Sequence, residues 1–192
     1  MLGEYVTAHG CDQLILFLWR ALLLVWVVGL FVNKPTAQPW DLGQRIVYFL
    51  LMWLMLFPLY SQRWHTPIII PPTLATAEIG AALCVVGFFM AIWSRLVLAN
   101  NWSGSVVIKV DHKLIEEGPY RLLRHPMYTG FLGLFLGTAI AIGSLGGFIG
   151  FVGFLLLHIW KLRREEALLA GHFPDSYPAY KARTYALVPY IF

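Results

Sequence analysis

Charge is what this sequence has little of: Asp, Glu, Lys and Arg make up 12% of its 192 residues, about half the share of a soluble domain. With 59% hydrophobic residues and a mean hydropathy of +0.68, that shortage excludes an ordinary water-soluble globule and a disordered chain alike. Cysteine is scarce too. Cys11 in the N-terminal flank and Cys84 inside an apolar run make no framework for a disulfide-stapled scaffold. A P-loop, a dinucleotide glycine fingerprint and a serine nucleophile elbow are all missing. No two of His112, His125, His158 and His172 stand at a ligand spacing such as i, i+4, and no cysteine lies near them, so zinc fits poorly. The net charge of +4 reads, in so apolar a chain, as positive cytoplasmic loops rather than a nucleic-acid surface. No short apolar stretch with a small-residue cleavage site opens the chain, so no removable signal peptide is expected.

What is present is apolar runs long enough to cross a bilayer, which takes about 20 residues of helix. The expected spans are 14–32, 43–60, 73–99, 126–143 and 147–162. They predict an all-α integral membrane protein with five transmembrane helices in a single domain over residues 1–192. Arg20, inside the first span, reads as a snorkelling side chain. Residues 67–72, Pro-Ile-Ile-Ile-Pro-Pro, read as punctuation. The join at 143–147 is too short for anything but a tight antiparallel hairpin. Gly133, Gly137 and Ala141 on one of its helices and Gly146, Gly150 and Gly153 on the other are expected to let the two backbones approach closely. Lys34, Arg45, Lys109, Lys113, Arg121, Arg124, Lys161, Arg163, Arg164, Lys181 and Arg183 fall on one side of this arrangement. Arg63 and the acidic flank with Glu4 and Asp12 fall on the other. The positive-inside rule therefore puts the C-terminus in the cytoplasm.

Polar chemistry is confined to residues 100–125 and 161–192. The first stretch holds a β-like run at 106–110 and the turn signal Glu117-Gly118-Pro119. The second opens with Lys161-Leu-Arg-Arg-Glu165-Glu166 at the end of the fifth span. The hairpin should bring the two together. Arginines, acids, histidines and aromatic rings would then surround a pocket that suits a polar, partly cationic cofactor beside a lipid-soluble substrate.

Gly118-Pro-Tyr120, Arg124-His-Pro-Met-Tyr128, Glu165-Glu166 and the terminal Phe173-x-x-x-Tyr177-x-x-Tyr180 resemble, in order and spacing, the isoprenylcysteine carboxyl methyltransferase family over about residues 95–192. That resemblance implies a catalytic C-terminal part and an S-adenosylmethionine pocket formed by His112, Lys113, Leu114, Ile115, Tyr120, His125, Pro126, Met127, Tyr128 and Glu165. It also implies an acceptor-binding arginine four residues before the glutamate. Here that position is Lys161, which keeps the charge but lacks the bidentate fork, so Lys161 or the nearby Arg164 or Arg163 is expected to read the acceptor. The implied partners are the bilayer and a lipophilic methyl acceptor, with no metal and no nucleic acid. The implied location is a multi-pass position in the plasma or inner membrane of a prokaryote, or the endoplasmic reticulum of a eukaryote. Prenylated cysteine carboxylate is the family's acceptor. Phospholipid and small-thiol methyltransferases, a sterol-type reductase and a non-enzymatic transport or assembly protein stand as the alternatives.

Overall fold

Apolar helices make up most of the described part of the chain, and they position a largely buried polar cluster. The structure is a computed structural model that describes residues 2–30, 43, 46, 66–99 and 114–191. The β-like run at 106–110, and the expected second span apart from Gly43 and Ile46, lie outside the described residues. The elements that can be followed among the described residues are α1 (Leu2–Leu30), α2 (Leu74–Leu98), α3 (Pro126–Ile142), α4 (Leu145–His172) and the short α5 (Tyr177–Ala182). A 3-10 turn, Gly118–Arg121, precedes α3. Among the described residues Thr7–Val28, Leu74–Leu98 and Leu145–His172 are long and apolar enough to cross a membrane, and Pro126–Ile142 is a shorter apolar helix. The chain is a helical membrane protein.

Helix ends follow local chemistry. Thr73 caps α2 in a reciprocal box, its hydroxyl accepting from the Thr76 N–H at 3.2 Å while the Thr76 hydroxyl accepts from the Thr73 N–H at 2.8 Å. Gly143, at φ 71°, stops α3 in the left-handed region that glycine adopts without strain. Ser144 then caps α4 by accepting from the Gly147 N–H at 3.2 Å. The 67–72 punctuation docks on this turn: the N–H groups of Ile69 and Ile70 donate to the Gly143 carbonyl at 2.8 and 3.0 Å. Two helices outrun the expected spans. No proline interrupts residues 2–13, so α1 begins well before the apolar run. α4 continues through its charged residues to His172, because Ala167-Leu-Leu-Ala170 keeps good helix formers on the line.

Packing corrects one expectation. Gly133, Gly137 and Ala141 do not mesh with the glycines of α4; they face α2. A methyl group added at Gly87 would meet the Gly130 carbonyl oxygen at 2.5 Å, and one at Gly130 would meet the Ala91 nitrogen at 2.6 Å. The reason lies in α2, which brings a stripe of small buried residues, Ala77, Gly80, Ala81, Cys84, Gly87, Ala91 and Ser94, to that seam. The α3–α4 hairpin is close next to its turn, where a methyl group added at Gly147 would meet Ala139 Cα at 3.3 Å, and farther along it closes on side chains, with Phe135 stacked on Phe154 at 3.8 Å. Along the seam Gly80 faces Gly137 and Gly87 faces Gly130, so α2 and α3 are antiparallel. The first helix is joined to α3 by the Trp19 Nε1–H donating to the Thr138 hydroxyl at 3.0 Å and by Trp26 against Phe131 at 5.0 Å. That register makes α1 antiparallel to α3, and hence parallel to α2.

Candidate active site

The start of α3 and the far half of α4 lie at the same end of the hairpin, and the polar residues gather there. His125 is the N-cap of α3, followed by Pro126 at its first position, where a missing N–H costs nothing. This fixes His125, Met127 and Tyr128 at the helix entrance, all buried. Across the hairpin, Lys161 and Glu165 are one helical turn apart on one face of α4. The Tyr128 hydroxyl donates to Glu165 Oε1 at 2.7 Å, and Lys161 Nζ lies 3.9 Å from the same oxygen and 5.2 Å from the Tyr128 ring centre. His125 Nδ1 lies 3.5 Å from Glu165 Oε2. His158, one turn earlier on α4, holds the Phe154 carbonyl through Nδ1 at 3.0 Å and packs edge-on to Tyr128 at 4.8 Å.

Glu166 faces a second set of partners. Arg124 Nε donates to its Oε1 at 2.6 Å, Lys181 Nζ to its Oε2 at 2.7 Å, and His125 Nε2 lies 3.5 Å from Oε1. His125 thus stands between two carboxylates. Burial works against its charged form, but the two glutamates outweigh burial and raise its pKa above the ordinary 6.5. Its Nε2 is nonetheless buried with no hydrogen-bond partner among the described residues.

The C-terminal segment packs over this end. Leu123 and Tyr185 form a parallel bridge, the Arg124 and His125 N–H groups donate to Tyr185 and Ala186 carbonyls at 2.7 and 3.0 Å, and the Tyr180 hydroxyl donates to the Tyr120 carbonyl at 2.9 Å. The two polar stretches expected to meet therefore do so, over residues 114–125 and 161–191. Of the residues singled out in the sequence, Tyr120, His125, Pro126, Met127, Tyr128, Lys161 and Glu165 are brought into one region. Leu114 and Ile115 lie half-buried just before the 3-10 turn. His112 and Lys113 lie outside the described residues. Arg164 is exposed and turned away, its guanidinium over the Trp160 ring at 4.4 Å. Arg163 is exposed on the same outer side. Sequence reading passed over the pairing of Arg124 and Lys181 with Glu166, since the partners are 42 and 15 residues apart and share no motif. Among the described residues, no group of three His, Cys, Asp or Glu side chains is placed to hold a metal ion.

Comparison with known proteins gives this geometry a context. A family model described as phospholipid methyltransferase matches residues 75–176. A protein-S-isoprenylcysteine O-methyltransferase of Schizosaccharomyces pombe is 38% identical over 88 residues, which cover 42% of this chain and 35% of that protein. A probable protein-S-isoprenylcysteine O-methyltransferase of Oryza sativa subsp. indica is 27% identical over 97% of this chain and 92% of its own length. The solved eukaryotic intramembrane Ras methyltransferase ICMT shares the fold at a TM-score of 0.55 and 21% identity, over 80% of this chain and 55% of that one. The chain thus spans about a third of the fission-yeast relative and about half of the solved protein.

Proposed function

The chain belongs to the phospholipid methyltransferase family, with isoprenylcysteine methyltransferases among its relatives. From that premise we propose that it methylates the carboxylate of a lipophilic, prenylcysteine-type acceptor, with S-adenosylmethionine as the methyl donor. The observation that carries the acceptor class is Lys161, a cation 4% exposed at the end of a membrane helix and 3.9 Å from Glu165. Lys161 pairs with Glu165, and Arg124 and Lys181 pair with Glu166. A buried cation at this position suits an anionic acceptor and disfavours a cationic headgroup.

The residues present fit the donor. A buried imidazole nitrogen that makes no hydrogen bond among the described residues, the Glu165 carboxylate and the rings of Tyr120 and Tyr128 offer hydrogen bonds and apolar faces for a nucleoside joined to a charged amino-acid end. His125, Met127, Tyr128 and Glu165 would hold it, with Leu114, Ile115 and Tyr120 on the approach. When bound it supplies an electrophilic methyl group on a sulfonium, which leaves as a neutral thioether when a carboxylate oxygen attacks. No proton is transferred, so the chain needs no strong general base. Its tasks are orientation and water exclusion: Lys161 steers the acceptor carboxylate as a point charge, and Tyr128 and His125 keep Glu165 aimed into the site.

The same reading has five spans with the C-terminus in the cytoplasm. Parallel α1 and α2 call for an odd number of crossings between them, and the apolar run 43–60 is long enough for one. The lysine and arginine asymmetry of the sequence supports the orientation. A soluble cofactor then enters from the cytoplasm, and the acceptor from the bilayer.

The deciding assay uses the purified full chain in detergent with S-adenosylmethionine labelled in its methyl group and a soluble S-prenylated N-acylcysteine. Base-labile incorporation into the acceptor, absent with the corresponding amide, is the expected result. Label in phosphatidylethanolamine and none in the prenylcysteine would replace the acceptor while keeping the enzyme class. Failure to bind the donor by calorimetry would overturn the reading.

A further inference from the structure

The tandem Glu165-Glu166 divides its work, and the second glutamate makes contacts that the transfer of a methyl group does not require. Arg124 ties three elements together. Its Nε bonds Glu166 on α4 at 2.6 Å, and its Nη1 bonds the Thr184 carbonyl and, at 3.2 Å, the Lys181 carbonyl. Lys181 returns from α5 to the other oxygen of the same glutamate at 2.7 Å. Glu166 and the Arg124 side chain are each only 11% exposed, so this is a desolvated, multiply bonded ion pair. The backbone next to it is stapled as well: the Tyr185 N–H donates to the Leu122 carbonyl at 2.9 Å, and the Thr129 hydroxyl to the Leu187 carbonyl at 2.6 Å. His125, the residue after Arg124, has one ring nitrogen beside each glutamate.

We propose that Arg124, Glu166 and Lys181 form an electrostatic latch that holds the C-terminal segment, residues 177–191, against the His125–Glu165 pair. The three are positioning residues: they orient the imidazole and close the segment over the donor pocket without touching donor or acceptor. The proposal rests on the methyltransferase reading for its effect on donor binding, while the latch itself can be tested without any donor.

A long-range ion pair that only filled space would be replaceable without consequence for the segment. A latch predicts that its loss frees the segment first. Lys181 and Arg183 provide trypsin sites inside it, so the opening can be read directly. With the full chain in detergent and no donor, Glu166→Gln and Arg124→Gln should each speed trypsin cleavage after Lys181 and Arg183 by about tenfold, the scale of one lost hydrogen bond to a charged group. Saturating S-adenosylmethionine should restore protection. In donor titrations both variants should weaken affinity by about tenfold, with turnover at saturating donor changed far less. The double variant should be no worse than either single one, because both changes open the same latch. Arg124→Lys should recover part of the affinity through its charge, and Lys181→Gln, which leaves the arginine bonds intact and removes one trypsin site, should give a smaller version of each effect, with cleavage read after Arg183. Should Arg124→Gln fail to fold, these two milder variants carry the test.

Trypsin cleavage as slow as in the wild type, unchanged donor affinity in both single variants, or effects that multiply in the double variant would each overturn the latch. If the wild-type chain binds no donor, the methyltransferase reading fails and the trypsin rates alone decide the latch.

Discussion

The α2–α3 seam and the polar end of the α3–α4 hairpin are built on opposite rules. In the seam the close contacts are between backbones, with Gly80 on Gly137 and Gly87 on Gly130, and stability comes from side chains that are absent. Lipid offers no hydrophobic drive to bring helices together, so close van der Waals contact does the work. At the polar end stability and chemistry come from side chains that are present, with Arg124, His125, Lys161 and Lys181 gathered around Glu165 and Glu166. The seam fails when atoms are added, and the cluster fails when a charge is removed. The first failure should be blind to donor, and the second should be felt by donor first.

The largest effect should come from removing the carboxylate shared by Tyr128, His125 and Lys161. Glu165→Ala leaves the Lys161 charge buried without that anion, a loss of the kind that costs about 3–5 kcal/mol. Donor binding should fall below detection by calorimetry while circular dichroism still shows a helical protein. An affinity near that of the wild type would remove Glu165 from the site. Next comes the seam. Gly87→Val pushes a branched side chain into the Gly130 carbonyl, 2.5 Å from where its Cβ would stand, and overpacking of this sort costs about 1–3 kcal/mol or more. Thermal unfolding in detergent should begin at a lower temperature, by the same amount with and without donor. A drop that donor fully reverses would mean that the seam is not independent of the pocket.

Much of this division was legible in the sequence, for different reasons in the two regions. Hydropathy marked the apolar runs of α1, α2, α3 and α4, because a bilayer demands length and apolarity and little else. It did not mark where α1 begins or α4 ends, since a helix can continue into water on propensity alone. The partner of Gly133 and Gly137 was misassigned because the short Gly143 turn made α4 the obvious neighbour. The signal that points to α2 is a repeat of small residues seven apart, Gly80 and Gly87 beside Ala77, Cys84 and Ala91, which brings one helix face round every two turns. At the polar end, Lys161 and Glu165 could be grouped by helical phase, and Arg164 set apart by the same count. The bonds from Arg124 and Lys181 to Glu166 could not, because they depend on how the tail folds back.

A smaller effect should separate the acceptor from the donor within the cluster. Lys161→Ala removes a buried cation but leaves Glu165 bonded to Tyr128 at 2.7 Å. For an anionic acceptor its KM should rise, or turnover fall, by roughly tenfold to a hundredfold, about 1.5–3 kcal/mol for one charged hydrogen bond. Donor affinity should change little. Lys161→Arg should preserve or improve activity on a carboxylate, since the guanidinium restores the bidentate fork. An alanine variant with unchanged kinetics, together with a crippled Arg164→Ala, would move acceptor recognition to the outer face where Arg164 lies over Trp160.

The mildest expected effect is a dependence on pH that the seam does not share. His125 is buried, which opposes its charge, yet Glu165 and Glu166 raise its pKa above 6.5. A histidine whose folded pKa is raised binds its proton more tightly in the native state than in the unfolded one. Its contribution to stability is therefore full below the unfolded value and is lost as pH rises through the folded one. The groups that face it set the size of that loss: Glu165, Glu166, Lys161 and His158 from α4, Tyr128 and Arg124 from its own segment, and Lys181 through Glu166. The melting temperature should fall as pH is raised through the window above 6.5. His125→Gln should flatten this part of the profile, and Glu166→Gln should shift it to lower pH by removing one of the two carboxylates. Gly87→Val should lower the whole curve without changing its shape. A wild-type profile that is flat across this window, or one that rises with pH, would mean that the imidazole is held neutral between the two glutamates.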